Sequence, residues 1–371
     1  MDAHNSTKRL PLYLQIKNYI LDEIQSGKLK PNEMVYTGQS LQKQFHVSKI
    51  TTEKAFQFLL EEGYIYRIPG KGSFVSGNIE DSVVMRATPK NIAFVCPNLK
   101  SHHILNILLG VEEVVSENGD NLLVRVTQGS FSLQKEILHI LLERNVDGIV
   151  FYPVEGKYYD EELFRMKLTN FPFVLVDKMF DKIETSYVIS DNEQGAYEGT
   201  MALLNKGHRN IAFFSQYAPT SSSSIRARIK GFTKALHEVG VENPYHWVFD
   251  SFDEEVGVHL TYDEEHRDKF IRRIRSFIDQ RPGITAVMAV SPGNLSHVVR
   301  GLRSVDAQFV KDVEITVFDI DEYLDYSRVP MLTINQPSKQ IGIEAAKILF
   351  SQIGQPESIQ KLVLPMDIKT I

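Results

Sequence analysis

The stretch Leu41–Val75, LQKQFHVSKITTEKAFQFLLEEGYIYRIPGKGSFV, holds two helical patterns, a tight turn and a hairpin in unbroken succession. Leu41 and Phe45 make a short apolar face, and His46-Val47 then breaks the period. Ser48 is placed to cap a second helix, whose stripe is Ala55, Phe56, Leu59 and Leu60 and whose stop is Gly63. Tyr64–Ile68 and Ser73–Val75 are β-rich and flank Pro69-Gly70-Lys71-Gly72, a turn sequence. Upstream, Tyr13, Ile16, Ile20 and Ile24 recur at helical spacing within 10–26, and Gly27 ends the run. Pro31 opens a loop, and Thr37 is an N-cap for the helix that carries Leu41. Three helices followed by a hairpin predict a winged helix-turn-helix.

In that arrangement the start of the second helix of the pair lies nearest the base edges of a major groove. The face opposite the apolar stripe carries Lys49, Ile50, Thr51, Glu53, Lys54 and Gln57. Lysines meet phosphates or a guanine edge, threonine bonds either base, and isoleucine packs on a thymine methyl. Thr37 and Ser48 at the helix starts, and Lys71-Gly72 at the hairpin tip, complete the expected DNA-facing set. The competing reading is a three-helix packing domain with a merely solvated outer face; the hairpin weighs against it. The turn is not a phosphate-binding P-loop, because that motif needs Ser or Thr directly after the lysine and Gly72 stands there.

With those residues in view, 10–75 resembles the N-terminal domain of the GntR family of bacterial transcription regulators. PLYLQIKNYILDEIQSGKLKPNE matches its first helix and loop, and Leu41–Val75 its helix-turn-helix and wing. The sequence departs from the family at Tyr36-Thr37-Gly38, usually Pro-Ser-Glu. Lys49 and Glu53 both stand where arginines are usual. The resemblance implies DNA binding; Glu53, which accepts from a cytosine amino group and repels phosphate, implies a different base preference.

The chain has 371 residues and a formal net charge of −6, divided unevenly. Residues 1–77 carry ten Lys/Arg against seven Asp/Glu, a net +3, and the remaining thirty-one against forty leave −9 on 78–371. A mildly basic head on an acidic body suits a DNA-docking unit joined to a sensing unit. Cys96 is the only cysteine, which excludes an internal disulfide and a cysteine-cluster metal site and suits a reducing cytoplasm. No apolar run approaches the roughly 20 residues of a membrane helix, and MDAHNSTKRLPLY lacks the apolar core of a signal peptide.

Residues 78–90 read as a linker. Beyond them, apolar runs at 92–96, 122–126, 148–152, 172–176, 210–214, 286–290 and 315–318 alternate with amphipathic stretches, which predicts parallel sheets covered by helices. Ligands of such sheets sit beyond the carboxyl ends of the strands. Residues there include Pro97 to His103 with the pair His102-His103, Tyr152, Asp177-Lys178, the segment from Gln216 through SSSSIRARIKGF, Ser291 and Asp319. Carboxylates and a guanidinium can fork onto vicinal hydroxyls, which is sugar-binding chemistry. For any one of these residues, a helix cap or a surface ion pair is the plainer alternative.

VLVDK at 174–178, VISDNEQGAYEG at 188–199, NKGHRNIAFF at 205–214, RARIKGFTKAL at 226–236 and MLTINQPSKQIGIEAAKIL at 331–349 carry a second resemblance. Residues 91–371 are similar to the effector domain of the LacI/GalR regulators, related to periplasmic sugar-binding proteins. The resemblance implies a cleft between lobes 91–190 plus 337–355 and 191–335 plus 358–371, with crossings near Ser190, Gln336 and Val363; a homodimer is expected because one small head offers few phosphate contacts and operators are usually two-fold symmetric. It also implies that Asp177, Arg228 and Asp319 contact effector, with His103 and Ile104 in the first pocket loop. Ser291-Pro292 departs from the family's Asn-Asp, and the LacI hinge-helix signature is absent. The expected function is transcription regulation through double-stranded operator DNA and a small, monosaccharide-like effector, without metal or cofactor. Against an enzyme stand the absence of GxGxxG after a strand and of GxSxG; against an exported sugar carrier stand the missing leader and the basic head.

Overall fold

A computed structural model describes residues 11–76, 89–144, 146–154, 161–181, 183–215, 222–249, 264–305, 312–319, 331–354 and 358–370. Most of the linker 78–90 and the segment from Gln216 to 221 lie outside the described residues. The chain divides into two compact units, Met1–Lys90 and Asn91–Ile371.

The first unit is built as its sequence patterns require. Helices α1 (Leu12–Gln25), α2 (Gly38–Phe45) and α3 (Lys49–Glu61) precede an antiparallel hairpin of β1 (Ile65–Ile68) and β2 (Gly72–Val75). Ile16, Ile20, Leu41, Ala55, Phe56, Leu59, Ile65 and Val75 form its core. Thr37 caps α2 by accepting from the Ser40 amide at 3.2 Å, and Ser48 caps α3 by accepting from Thr51 at 3.3 Å. Between the helices His46 takes a left-handed φ of 53°, which turns the chain in a single residue. The hairpin tip is closed by the Lys71 amide on Ile68 O at 3.0 Å, with Pro69 first and Gly70 (φ 75°) second of the central pair. Only a residue tolerating positive φ fits that second place.

The second unit contains two sheets. The first has strand order β12-β7-β6-β5-β3-β4, all parallel, from β3 (Asn91–Cys96), β4 (Asn121–Val126), β5 (Gly148–Phe151), β6 (Phe173–Val176), β7 (Ser186–Ser190) and β12 (Lys361–Leu364). The second has order β13-β11-β10-β9-β8, from β8 (Ile211–Phe214), β9 (Ala286–Ala289), β10 (Glu314–Phe318), β11 (Met331–Asn335) and β13 (Asp367–Thr370). Each sheet is packed on both faces: Phe94 and Val150 join one cluster and Val95 and Phe151 another, as alternation along a strand dictates.

Two expectations need correction. Strand β13 runs antiparallel to β11, so the second sheet is not wholly parallel. The segment 358–371 does not belong to one lobe, because β12 pairs with β7 in the first sheet and only β13 joins the second. The third crossing lies between Leu364 and Asp367, just past Val363 as expected, and the alternating exposure of β12 marks an edge strand.

Crossing segments feed helices that pack at very short range. Helix α4 (His102–Glu117) lies against the helix Ser338–Gly354, where a Cβ on Gly342 would stand 2.0 Å from Ile107 O. The first lobe continues with α5 (Phe131–Glu143) and α6 (Glu161–Leu168); in the other lobe α7 (Asn192–Asn205) meets α8 (Ser223–Glu238), and a Cβ on Gly231 would stand 2.0 Å from Glu193 O. No side chain fits at either contact, so each lobe's first helix is seated directly on the backbone of a neighbouring helix.

Candidate ligand and nucleic-acid sites

Strands β6 and β10 end alike. Asp177 follows β6 with φ 68° and Asp319 follows β10 with φ 61°, both left-handed, a conformation aspartate tolerates better than most residues. The Asp177 amide donates to Val188 O at 3.1 Å and the Asp319 amide to Ile334 O at 3.0 Å, so each sharp bend is tied to the neighbouring strand. The two lobes thus present a carboxylate at the corresponding end of each sheet.

Asp177 is buried and paired. His103, in the first turn of α4, places Nε2 at 2.9 Å from Asp177 Oδ1 and Nδ1 at 2.6 Å from Ser338 Oγ. Burial opposes a charged imidazole, but the bond to Asp177 and the fields of Asp319 and Asp177 outweigh it, so His103 titrates above its ordinary value. Burial likewise opposes the Asp177 carboxylate. His103, through its hydrogen bond and charge, and then Lys178 and Arg228, hold it well below the usual range. Both shifts favour the ionic form of the pair, in which both ring nitrogens donate.

Asp319 is held differently. Oδ1 accepts from the Gln336 amide at 3.0 Å and Oδ2 from Gln336 Nε2 at 2.7 Å, while Gln336 Oε1 accepts from Ser190 Oγ at 3.0 Å. Asn192 donates to Ser190 O at 3.0 Å and accepts from Arg228 Nε at 2.7 Å. Arg228 also donates from Nη1 to Val290 O at 2.8 Å, and its guanidinium lies 4.0 Å from the Phe318 ring centroid. One polar network therefore connects Asp319, Arg228 and two of the three crossings. Ser338, which meets His103, brings it to Asp177, since its own amide donates to Gln336 O at 2.8 Å.

Of the other expected residues, Tyr152 belongs here. It is buried, its ring stands edge-on to His103 at 6.2 Å, and Lys178 Nζ lies 4.7 Å from its centroid. His102 is half-buried and outside this network, since only its neighbour points inward from α4. Ser291 caps the helix Pro292–Val305, accepting from Asn294 at 3.1 Å, with Pro292 at the first helical position. Ile104 is buried among apolar side chains of the first lobe. The sequence marks Gln336 and Ser338 only as crossing and lobe boundary, and it does not single out Asn192. Their signal is the spacing of SDN at 190–192 and NQPS at 335–338, each at the end of a strand. Among the described residues no group of three His, Cys, Asp or Glu is placed to hold a metal ion.

In the first unit, the outward face of α3 is as expected, with Lys49, Ile50, Glu53, Lys54 and Gln57 exposed. Ile50 is 78 % exposed at the helix start, an apolar side chain with no core role. Lys49 pairs with Glu53 at 3.6 Å, and Lys54 Nζ lies 4.4 Å from the Tyr13 ring centroid. Ser48 and Thr51 share a hydroxyl contact of 2.9 Å, so Thr51 is preset by the cap. Lys71 and Gly72 are exposed at the wing tip.

Comparison with known proteins places both units. Residues 12–75 match the model of bacterial regulatory proteins of the gntR family, and residues 200–370 that of a periplasmic binding protein-like domain. An arabinose metabolism transcriptional repressor from Geobacillus stearothermophilus is 28% identical over 365 residues, covering 96% of this chain and 94% of the relative. A ribose operon repressor from Haemophilus influenzae is 24% identical, covering 81% and 85%. Among solved structures, a ribose operon repressor from Burkholderia thailandensis, described as putative, aligns with TM-score 0.64 at 23% identity over 76% of this chain and 99% of that one. A regulator described as a CelR-cellobiose complex aligns with TM-score 0.63 at 22% identity, covering 87% and 90%.

Proposed function

We propose that this transcriptional regulator, a gntR-type head on a periplasmic-binding-protein-like body and not an enzyme, is a repressor that binds operator DNA as a homodimer and answers to a monosaccharide. The observation that carries the effector reading is the network linking Asp177, His103, Arg228, Asp319 and Gln336. It gathers two carboxylates, a guanidinium and amide groups at the strand ends, beside the aromatic Tyr152, a donor–acceptor mix suited to vicinal hydroxyls. The names of the relatives, arabinose and ribose repressors, favour a pentose. A thermal-shift screen of pentoses and hexoses tests this, since a ligand at 100 times its Kd stabilises by about 2.7 kcal/mol. A midpoint raised by one sugar and not by its epimers is expected; a flat panel at millimolar sugar would remove the carbohydrate reading.

In the head, Thr37, Ser48, Lys49, Ile50, Thr51, Lys54, Lys71 and Gly72 are the proposed DNA-facing residues. The dimer rests on the body. Strand β4 is a sheet edge whose Leu123 and Val124 are exposed, and Leu109 of α4 is 54 % exposed. An uncovered apolar edge of this kind is a template for pairing. Light scattering at micromolar protein should give twice the chain mass, and Leu123→Lys should lower it; monomer throughout would contradict the dimer. Acting on operator DNA puts the protein in the bacterial cytoplasm, and no described helix is long and apolar enough to cross a membrane.

A further inference from the structure

We infer that the lobes of the body are clasped at the rim of the cleft by two direct contacts between them. The Met179 amide donates to Ser223 Oγ at 2.9 Å, and Arg226 Nη2 donates to Asp181 Oδ2 at 2.6 Å. Met179 and Asp181 follow β6 in the first lobe, whereas Ser223 and Arg226 stand at the start of α8 in the second. None of the four lies on a crossing, so the contacts restrain the inter-lobe angle rather than carry the chain.

Their position is set by helical geometry. Arg228 points inward and is 5 % exposed, while Arg226, two residues earlier on α8, has a side chain 39 % exposed. Two residues along a helix is more than half a turn, so one arginine faces the cleft and the other its rim. Asp181, with a side chain 56 % exposed, lies four residues beyond buried Asp177 on the segment that follows β6. The three serines at the head of α8 divide the work. Ser222 caps the helix on Ile225, Ser224 bonds to Ser222, and the Ser223 hydroxyl accepts from the other lobe.

Both contacts are weak enough to break and re-form. An ion pair this exposed is screened by salt and shifts an equilibrium by about two- to fivefold. The clasp biases the lobes toward the arrangement in which both contacts form. On the reading that the cleft takes the effector in that arrangement, apparent affinity scales with its population, so the clasp sets the concentration at which the regulator responds.

Amide hydrogen exchange at Met179 in the effector-free full chain tests the clasp without a ligand, and so independently of the effector reading. Met179 N–H should be protected in the wild type. Arg226→Ala, which leaves the Ser223 acceptor in place, should accelerate its exchange about two- to fivefold. Asp181→Asn should do the same, with no further gain in the double variant, and 1 M NaCl should have the same effect on the wild type. Amides of Phe173–Val176 serve as the folding control and should stay protected in every case. A Met179 amide unprotected in the wild type, or equally protected with and without Arg226 and at both salt concentrations, would overturn the clasp.

Discussion

At His103 a single side chain closes a circuit between the first lobe, through Asp177, and the crossing helix, through Ser338. Its titration has a definite sign. His103 is raised in the folded protein, so its contribution is complete below the unfolded value of about 6.5 and is lost as pH climbs through the higher folded value. Asp177 is depressed, so its contribution is present above the unfolded value of about 3.9 and is lost as pH falls through the lower folded one. Thermal stability should therefore decline on the alkaline side of neutrality, and His103→Gln should flatten that limb. The same variant leaves Asp177 buried without its closest cation, at a cost of about 3 kcal/mol. Parallel pH profiles for the two proteins would mean that His103 is neutral when folded. The sequence marks His103 only as one of an adjacent pair. Which histidine turns inward depends on the rotation of α4, fixed by its seat against Gly342 and invisible in the local sequence.

Among the elements, α3 and the wing were the most legible, because capping residues, apolar period and turn glycines all point to the same structure there. Legibility fell at strands 186–190, 331–335, 361–364 and 367–370. Their short runs are interrupted by polar residues and their partners lie far away in sequence, so only the assembled sheet reveals β12 beside β7 and β13 beside β11. The recognition helix has one tension. Glu53 draws Lys49 into an i,i+4 pair, which binding to phosphate must break. Replacing Lys49 and Lys71 together with alanine should reduce the slope of log affinity against log salt by about 3.6 for the proposed dimer, roughly 0.9 for each of the four phosphates that are no longer neutralised. An unchanged slope would remove both residues from the interface. Glu53→Ala should act oppositely and tighten binding at low salt, by freeing Lys49 and removing a negative charge.

For the molecule as a whole, the proposed effector network and α3 lie in separate compact units, so the proposed regulation requires that ligand favour one arrangement of the body and that the head respond to it. The combination of a basic head and an acidic body was readable from sequence, as were Asp177 and Asp319 just past strands, with Arg228 marked by the family resemblance. The sequence did not reveal that Asp319 is caged by Gln336, or that Arg228 reaches the crossing through Asn192, because these contacts span up to 36 residues and depend on the sheet order. On the proposed reading, that network makes Arg228 the residue on which ligand binding and lobe geometry meet. The direct measurement is fluorescence anisotropy of a duplex, selected from a random library by the full chain, titrated with wild type and Arg228→Ala in the presence and absence of arabinose. Wild-type affinity should change about 5- to 150-fold with sugar, and Arg228→Ala should bind the bare duplex normally while ignoring arabinose. A variant that responds at the same sugar concentration as wild type, or a wild type whose DNA affinity no pentose or hexose alters, would contradict the account.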